Sequence, residues 1–331
     1  MHVLEVEGLK TYFYTLRGIV KAVDGVSFNL KRGETMGLAG ESGCGKSTVA
    51  WSLLGLVPPP GRIVEGSIRI DGMDITKMTE AEIRAKVRWK KISMVFQGAM
   101  NALSPVHRVG DQITEPLIIH KGMSKDEAWS KAEKLLKQVG LSPDILNRYP
   151  HELSGGQKQR VVIAMALIME PDVIIADEPT TALDVIVQGQ ILNLLKEINW
   201  EHGVSIIFIS HDLSVIAEVS DKVAIMYAGK IVEIGPAEEI FKDPQHPYTQ
   251  ALIKAIPKLR GPKEKLAYIP GQPPDLRAPP KGCRFAPRCP FAWEKCHEEE
   301  PPDVEVGSNH YSKCWLNLEE YKARRLLAAP G

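Results

Sequence analysis

Short apolar runs alternate with longer amphipathic stretches along the first 240 residues. Near the N-terminus, HVLEVEGL and IVKAVDGVSFNL show the partial alternation that is typical of strands. Further along, KISMVFQ, DVIIAD and VSIIFIS are continuously apolar, which indicates strands buried on both faces. Helical segments separate these strands. The order predicts an α/β fold in which helices cover a parallel sheet.

Several helix boundaries are marked by their end residues. The segment SKDEAWSKAEKLLKQVG starts at Ser124, has Glu127 at the capping-box spacing and stops at Gly140. The helix after GESGCGKST is expected to run through TVAWSLLGLV and to stop at Pro58. A charged, periodic pattern predicts another helix over residues 77–90, and EGSIRIDGMDI predicts a hairpin.

The chain is expected to form two domains. Residues 98–170 are mostly helical in pattern, and we interpret them as a helical subdomain within a larger domain over residues 1–240. Beyond that point the prolines of IPGQPPDLRAPP and EEEPPD interrupt any periodicity. Residues 241–331 are therefore expected to form a C-terminal appendage.

The composition excludes several classes of protein. Of 331 residues, 44% are hydrophobic and 25% are charged, which is ordinary for a globular chain. Lys+Arg and Asp+Glu are both 41, and this balance disfavours a nucleic-acid coat protein. The sequence has no apolar run long enough to span a bilayer, and MHVLEVEGLK lacks the apolar region of a signal peptide. The sequence predicts a cytoplasmic chain that can dock on a membrane partner.

The segment GESGCGKS, residues 40–47, fits the phosphate-binding pattern G-x-x-x-x-G-K-[ST]. An apolar strand precedes it and a helix follows it, which is the context that this motif requires. Its glycines let successive backbone N–H groups turn inward around phosphate oxygens. Lys46 would place a positive charge at the β- and γ-phosphates, and Ser47 would supply a hydroxyl to Mg²⁺. Cys44 is interpreted as one of the variable positions.

Polar side chains stand at the ends of three apolar strands. VIIADEP ends in Asp177, which we assign to the shell of Mg²⁺, and in Glu178, which we assign to the attacking water. A strand that ends in Asp-Glu is a weak signal alone, but it gains weight because it follows a P-loop. His211 follows VSIIFIS and would point toward the γ-phosphate, and Gln97 ends KISMVFQ.

The segment ELSGGQKQR places two glycines at the start of a helix, where their freedom is costly to restrict. Ser154 has the chemistry of an N-cap, and Gly155 and Gly156 leave backbone N–H groups unobstructed. A helix N-terminus with bare backbone is a ready anion site. Such a second site is useful if it covers a nucleotide held by a partner subunit, as in an isologous dimer with two composite sites.

Taken together, these motifs resemble the ATP-binding subunit of an ATP-binding-cassette (ABC) transporter. GESGCGKST, Gln97, LSGGQ, VIIADE, TALD and His211 occur in the order of that family, over residues 1–240. The resemblance implies a P-loop nucleotide-binding domain with a RecA-like core, an antiparallel β subdomain and an α-helical subdomain. It assigns nucleotide contacts to Phe13, Gly40, Glu41, Ser42, Gly43, Cys44, Gly45, Lys46, Ser47, Thr48, Gln97, Ser154, Gly155, Gly156, Gln157, Asp177 and Asp184.

The resemblance also implies how these residues divide the chemistry. Glu178 would be the catalytic base, and His211 would contact the γ-phosphate. Ser47, Gln97 and Asp177 would hold Mg²⁺. The LSGGQ segment would complete the ATP site of the opposing subunit.

Two further roles follow from the same resemblance. Asp184 would lie across the dimer interface. An aromatic side chain before the first core strand stacks on adenine in this family; Tyr12, Phe13 and Tyr14 are available, and we favour Phe13.

A closer match is the oligopeptide/dipeptide importer subfamily, on the segments RYPHELSGGQKQR, DEPTTALDV and HPYTQALIKAIP and on the Cys-rich tail. It implies a second ATP-binding subunit, two transmembrane permease subunits and an extracytoplasmic substrate-binding protein, with this chain at the cytoplasmic face of the membrane. The ATP-binding motifs leave open whether the dimer is with itself or with a sibling. They also leave open whether the cargo is a peptide, an oligosaccharide or nickel.

Two other classes of protein fit the sequence less well than an importer subunit does. A soluble ABC ATPase that acts on DNA or ribosomes usually has a coiled-coil insert or two cassettes, neither of which this sequence shows. A regulatory or iron–sulfur module with a vestigial ATPase is disfavoured by the intact Glu178 and His211.

Four of the five cysteines lie in the last 50 residues: Cys283, Cys289, Cys296 and Cys314. In a reducing cytosol such a cluster predicts a four-thiolate metal site. The spacing matches neither common zinc fingers nor ferredoxins. The subfamily resemblance implies a [4Fe–4S] cluster, with zinc and metal-free cysteines as the alternatives.

Overall fold

A computed structural model of the chain describes residues 1–98, 102–256, 269–321 and 324. The described residues fall into two compact units, each assembled from separate pieces of sequence. The first unit contains Met1–Glu5, Asn29–Thr35 and Ile68–Phe208. The second contains Val6–Phe28, Met36–Ser67 and Ile209–Gly331.

Twelve strands are present in the described residues. They are β1 (His2–Thr15), β2 (Gly18–Lys31), β3 (Thr35–Ala39), β4 (Gly61–Ile70), β5 (Met73–Asp74), β6 (Ile92–Val95), β7 (Val173–Asp177), β8 (Ser205–Ile209), β9 (Lys222–Tyr227), β10 (Lys230–Pro236), β11 (Val304–Gly307) and β12 (His310–Ser312).

Ten α-helices are present in the same residues, besides short 3₁₀ turns. They are α1 (Lys46–Leu53), α2 (Glu80–Lys86), α3 (Val109–Lys121), α4 (Lys125–Gln138), α5 (Gly155–Leu167), α6 (Val185–His202), α7 (Leu213–Val219), α8 (Ala237–Lys242), α9 (Pro247–Lys254) and α10 (Glu294–Glu298). None of the helices in the described residues is long and apolar enough to cross a membrane.

In the first unit, β7 lies between β6 and β8. The strands β6 and β7 are parallel, from Ile92 opposite Val173 to Val95 opposite Ala176. Every residue of β7 and β8 is buried, which explains their continuously apolar sequences. Helices α3, α4 and α5 pack on one another and form the predicted helical region, of which residues 99–101 lie outside the described part.

Capping decides where several helices of the first unit begin. At α4 the Ser124 side chain accepts from the backbone N–H of Glu127, and Glu127 returns a bond to the backbone N–H of Ser124, as predicted. Gly140 follows that helix at φ 72°. The helix predicted over residues 77–90 is shorter, since a capping box at Thr79 sets the start of α2.

In the second unit, the sheet order is β11-β12-β10-β9-β3. Strand β9 pairs parallel to β3 and antiparallel to β10. Helix α1 ends at Leu53, before the predicted stop at Pro58, because Gly55 takes the left-handed conformation at φ 61°.

The separate four-stranded sheet has the order β2-β1-β4-β5 and contains the predicted hairpin, with Arg69 opposite Asp74.

The C-terminal region contains more regular structure than its prolines predict. Strand β12 pairs antiparallel with β10 through Glu233 opposite Ser312, and β11 pairs with β12. Helix α9 starts at Pro247, a favoured first helical residue, and α8 runs across residue 240. Where a domain boundary lies in this region stays a prediction.

A buried polar network ties this region together. The Glu233 carboxylate is fully buried and accepts from the backbone N–H groups of Gln245 (2.6 Å) and His246 (2.9 Å). Its Oε1 also lies 2.8 Å from Nε2 of His310. His246 caps α9 by accepting from the backbone N–H of Tyr248 at 3.0 Å. Burial lowers the pKa of His246 to about 4.

The depressed pKa of His246 predicts a loss of stability in mild acid. Between pH 6.5 and pH 4 the unfolded chain binds a proton at this residue and the folded chain does not, so the free energy of unfolding falls as pH falls. Its slope should be up to about 1.4 kcal/mol per pH unit for this one group. His246→Asn retains a capping oxygen and should flatten that slope in urea unfolding measured across this range.

His297→Asn is the matched control, because His297 is exposed. It should leave the slope unchanged. Equal slopes in wild type and His246→Asn would show that His246 does not carry the effect.

Candidate functional site

The backbone of residues 40–45 turns through three glycines with positive φ, two of which have no room for a side chain. Gly40, Gly43 and Gly45 have φ values of 149°, 78° and 111°. A Cβ on Gly40 would lie 2.1 Å from the carbonyl oxygen of Met226, and one on Gly45 would lie 2.3 Å from that of Ala22. The loop is therefore pressed against neighbouring carbonyls at two points, in a conformation that L-residues rarely adopt.

Helix α1 begins at Lys46, immediately after this loop. Its N-cap residue is Gly45, and no side chain in the described residues caps it. The buried Lys46 donates through Nζ to the carbonyl oxygens of Gly40 (2.7 Å) and Glu41 (3.1 Å). A glycine loop, an uncapped helix start and a lysine together fit a bound triphosphate. Ser47 and Thr48 occupy the first turn of the helix.

Cys44, in the middle of the loop, is an inert position. Its thiol is buried 3.7 Å from Nζ of Lys46. Burial raises the pKa of this thiol, which keeps it protonated.

The three candidate aromatic residues of β1 have different surroundings. Successive side chains of a strand point to opposite faces, so Phe13 shares the face of Thr11. The Thr11 hydroxyl lies 2.8 Å from that of Ser52 in α1, the helix that follows the phosphate loop. Phe13 packs against Gly61, where an added Cβ would lie 2.6 Å from its ring. Phe13 is therefore the aromatic residue on the α1 face of β1.

Tyr12 and Tyr14 belong to the other face. The Tyr12 hydroxyl donates to the Asp24 carboxylate at 2.6 Å, and that carboxylate also pairs with Arg284. Burial and the Asp24 bond raise the pKa of Tyr12. Tyr14 lies beneath the guanidinium of Arg62, 4.2 Å from the ring centroid. Both tyrosines are thus engaged by charged groups of the protein.

In the first unit, the structure brings Gln97 and Glu178 together. Asp177 is the buried last residue of β7, and Glu178 follows it. The Gln97 Nε2 donates to Oε2 of Glu178 at 2.8 Å, and the Thr181 hydroxyl donates to the same oxygen at 3.0 Å. Glu178 has a φ of 48°, which is uncommon for a non-glycine residue. Its carboxylate is held by two donors on a strained backbone, as functional groups often are.

The LSGGQ segment starts α5 as the sequence predicts. The Ser154 side chain accepts from the backbone N–H of Gln157 at 3.3 Å, and Gln157 accepts from the backbone N–H of Ser154 at 3.0 Å. Gly156 has a second reason to be glycine, because a Cβ there would lie 2.9 Å from Val187 of α6. Gly155 is the first residue of the helix. Ser154 is exposed, so a partner can reach it.

The remaining predicted residues lie at helix starts. Asp184 caps α6 by accepting from the backbone N–H of Val187 at 3.0 Å. His211 is exposed between the end of β8 and Asp212, which caps α7. Their roles toward nucleotide stay predictions.

The prediction of a metal site at Cys283, Cys289, Cys296 and Cys314 is wrong. Among the described residues, no group of three or more His, Cys, Asp or Glu side chains could hold a metal ion. Neither the [4Fe–4S] cluster nor the zinc alternative fits this arrangement. All four cysteines are free thiols.

These thiols instead line one apolar pocket together with Phe291, Trp293 and Trp315. Burial raises the pKa of Cys283 to about 11 and that of Cys289 to about 12. In this pocket burial therefore favours the neutral thiol. Spacing in sequence suggested ligands because it carries no information about these aromatic neighbours.

A second pocket, in the first unit, has a volume of about 390 Å³ between α4 and the end of α6. Leu135, Val139 and Ile198 are among its lining residues, and Lys131 pairs with Glu170 at its rim. None of the predicted site residues lines it.

Comparisons with known proteins indicate the same class of protein as the phosphate loop described above. The model of the family described as "ABC transporter" matches residues 23–181, and that of "Oligopeptide/dipeptide transporter, C-terminal region" matches residues 232–296. The dimeric structure of MJ0796, a bacterial ABC transporter cassette, has a TM-score of 0.64 at 31% identity and covers 71% of this chain and 98% of its own. A post-hydrolysis MJ0796 dimer bound to ADP and Pi has a TM-score of 0.62. Fold and site thus define an ATP-binding cassette.

Proteins of similar sequence show which family within this class the chain belongs to. The dipeptide transport ATP-binding protein DppD of Bacillus subtilis is 49% identical over 318 residues, covering 95% of this chain and 94% of the relative. The oligopeptide transport ATP-binding protein OppD of the same organism is 49% identical over 317 residues, covering 95% and 88%. The chain belongs to the dipeptide and oligopeptide transport ATP-binding family of ABC transporter proteins.

The position of Phe13 predicts that it is the aromatic contact of adenine. Phe13→Ala should weaken ATP binding about ten-fold or more, since stacking on a base is worth about 1–3 kcal/mol. Calorimetric titration of the purified chain measures this affinity. Tyr14→Ala is the control and should bind ATP as wild type does, and the reverse ranking would assign the contact to Tyr14.

Proposed function

We propose that this chain is the ATP-hydrolysing subunit of an importer for dipeptides or oligopeptides. The ATPase part of the proposal rests on the two sites just described. In one, Lys46 donates to a carbonyl oxygen of the glycine loop, and in the other the Glu178 carboxylate accepts from two donors. The peptide part is supported by the identity with DppD and OppD over most of the chain. It is also supported by the match of residues 232–296 to the oligopeptide-importer C-terminal region.

The glycine loop and α1 bind the triphosphate in this proposal. Backbone N–H groups surround the phosphate oxygens, and Lys46 exchanges its carbonyl acceptors for the β- and γ-phosphates. The exchange is favourable because a charged acceptor binds an ammonium group more strongly than a carbonyl does. Phe13 stacks on adenine and His211 contacts the γ-phosphate.

Glu178 is the catalytic base. Its carboxylate orients the attacking water and accepts a proton from it, as the water oxygen bonds to the γ-phosphorus and the bond from that phosphorus to the ADP oxygen breaks. Gln97 and Thr181 hold one oxygen, Oε2, and so set the direction in which Oε1 can accept. Gln97 also relays the state of the site to the membrane subunits.

Mg²⁺ would be held by Ser47, Gln97 and Asp177, which carry the hard oxygen donors that this ion prefers. When bound, it neutralises charge that develops on the phosphates.

Dimerisation completes the ATP sites. The exposed Ser154 and the start of α5 bind the nucleotide that a partner holds, and Asp184 lies at the interface between the subunits. The dimeric structures of the related cassette MJ0796 support dimerisation. We propose a second, similar ATP-binding subunit as the partner.

The assembly contains two permease subunits and acts with an extracytoplasmic substrate-binding protein. The chain binds at the cytoplasmic face of the membrane as a peripheral subunit. Residues 241–331 form a C-terminal domain of the oligopeptide-importer type in this proposal, next to a nucleotide-binding domain over residues 1–240.

The role of Glu178 predicts a split between binding and turnover. Glu178→Gln should lower the ATP turnover number by about 10²–10⁴, because it removes a general base. ATP affinity should stay within about three-fold of wild type, since the side chain keeps its size and hydrogen bonding. Phosphate release and calorimetric titration measure the two quantities.

Glu201→Gln is the control, as Glu201 is exposed near the end of α6. It should change neither quantity. Normal hydrolysis by Glu178→Gln would remove Glu178 from the role of base.

The cargo is tested in cells that contain the complete transporter. Uptake of a radiolabelled dipeptide should depend on this chain and should be lost in the Glu178→Gln variant. Labelled nickel and a labelled oligosaccharide are measured in parallel. Uptake of either one in place of the peptide would overturn the peptide assignment and leave the ATPase assignment intact.

A further inference from the structure

An acidic residue stands inside the phosphate loop, and it is held by an arginine from the C-terminal region. Glu41 follows the first glycine of the loop. The Arg288 guanidinium donates through Nη1 to Oε2 of Glu41 at 2.6 Å and through Nη2 to Oε1 at 2.9 Å. The Arg288 side chain is only 5% exposed and that of Glu41 is 26% exposed, so the guanidinium end of this bidentate pair is shielded from water.

Every N–H donor of Arg288 has an acceptor. Besides Glu41, Nη1 donates to the Tyr227 hydroxyl at 3.2 Å and Nη2 to the carbonyl oxygen of Ile269 at 3.3 Å. The Nε donates to the carbonyl oxygen of Pro270 at 2.8 Å. All five donors of the planar group are thus used. The C-terminal region presents Arg288 to Glu41 in one fixed orientation.

The backbone of Glu41 is held as well. Its N–H donates to the Tyr248 hydroxyl at 3.0 Å. The Tyr248 ring is fully buried, with centroids 4.6 Å from Tyr227 and 5.3 Å from Phe285. Two residues of the C-terminal region therefore fix both the side chain and the backbone of one loop residue.

A carboxylate in this loop opposes the proposed ligand. A triphosphate is strongly anionic, and an unpaired Glu41 would repel it from within the loop that binds it. The Glu41 hydrogen bonds raise the pKa of Arg288, so the guanidinium keeps its charge. Lys46 also donates to the carbonyl oxygen of Glu41, which links the position of this residue to the phosphate-binding lysine.

We propose that Arg288 is a positioning residue for ATP: it neutralises Glu41 and, with Tyr248, holds the phosphate loop ready for a triphosphate. ATP affinity is in this way dependent on the C-terminal region. The inference rests on the proposed binding of ATP at this loop, and it adds a requirement for residues outside the nucleotide-binding motifs.

A double-mutant cycle on the full chain separates the charge effect from a general loss of structure. The four proteins are wild type, Arg288→Gln, Glu41→Gln and the double variant, titrated with ATP, ADP and AMP in a calorimeter. Arg288→Gln should weaken ATP binding at least ten-fold and AMP binding least, because the repulsion grows with phosphate charge. Glu41→Gln should bind ATP at least as tightly as wild type. The double variant should return to within about three-fold of wild type, since it lacks the unpaired carboxylate.

Arg277→Gln is the matched control. Arg277 pairs with Asp275 in the same region, but both side chains are largely exposed. This variant should bind ATP as wild type does. Thermal unfolding of every variant verifies that it is folded.

Two results would overturn the inference. One is wild-type ATP affinity in Arg288→Gln, and the other is a double variant that binds as weakly as Arg288→Gln.

If Arg288→Gln does not fold, the ATP affinities of Tyr248→Phe and Glu41→Gln test the proposal instead. Tyr248→Phe should then weaken ATP binding three- to ten-fold, and unchanged affinity, or a ten-fold loss in Glu41→Gln, would contradict the proposal. Failure of the wild type to bind ATP would instead refute the proposed function itself.

Discussion

The backbone path of the phosphate loop is the constraint on which the second unit depends. Two carbonyl groups, from Ala22 and Met226, occupy the space that side chains would need at Gly45 and Gly40. The strands β2 and β9 that carry these carbonyls therefore press on the loop from inside the unit. From the C-terminal region, Tyr248 and Arg288 hold Glu41, which lies between these two glycines in the sequence. A loop that must offer bare N–H groups to an anion has few of them left for its own hydrogen bonds, so contacts with its surroundings help to fix its conformation.

Features that depend on neighbours in sequence were predicted well. The capping pair at Ser124, the N-cap at Ser154, the glycine pattern of the loop and the continuously apolar strands each follow from local chemistry. The choice of Phe13 over the adjacent tyrosines stays a prediction, although strand alternation places Phe13 on the face where Thr11 contacts α1. Such features are readable because the interacting residues lie within one or two turns of each other.

Features that depend on distant residues were missed or wrong. The pairing of β12 with β10 has no local signal in a proline-rich segment, and Gly156 gave no indication that it packs against Val187. Cysteine spacing predicted a metal site, but the fold surrounds those thiols with aromatic rings. The sequence analysis predicted no role for Arg288, because its carboxylate partner is 247 positions away in the sequence.

This separation has a consequence for how the chain is made. Ribosomes add about 5–20 residues per second, so the partner of Glu41 emerges roughly 10–50 s after Glu41 itself. During that interval the nascent chain exposes a phosphate loop without Tyr248, Arg288 or the strand β12 of its own unit. The second unit is thus the last to close, although it contains some of the first residues synthesised. The contacts that hold Glu41 in a nascent chain of this kind are therefore completed only when synthesis is nearly finished.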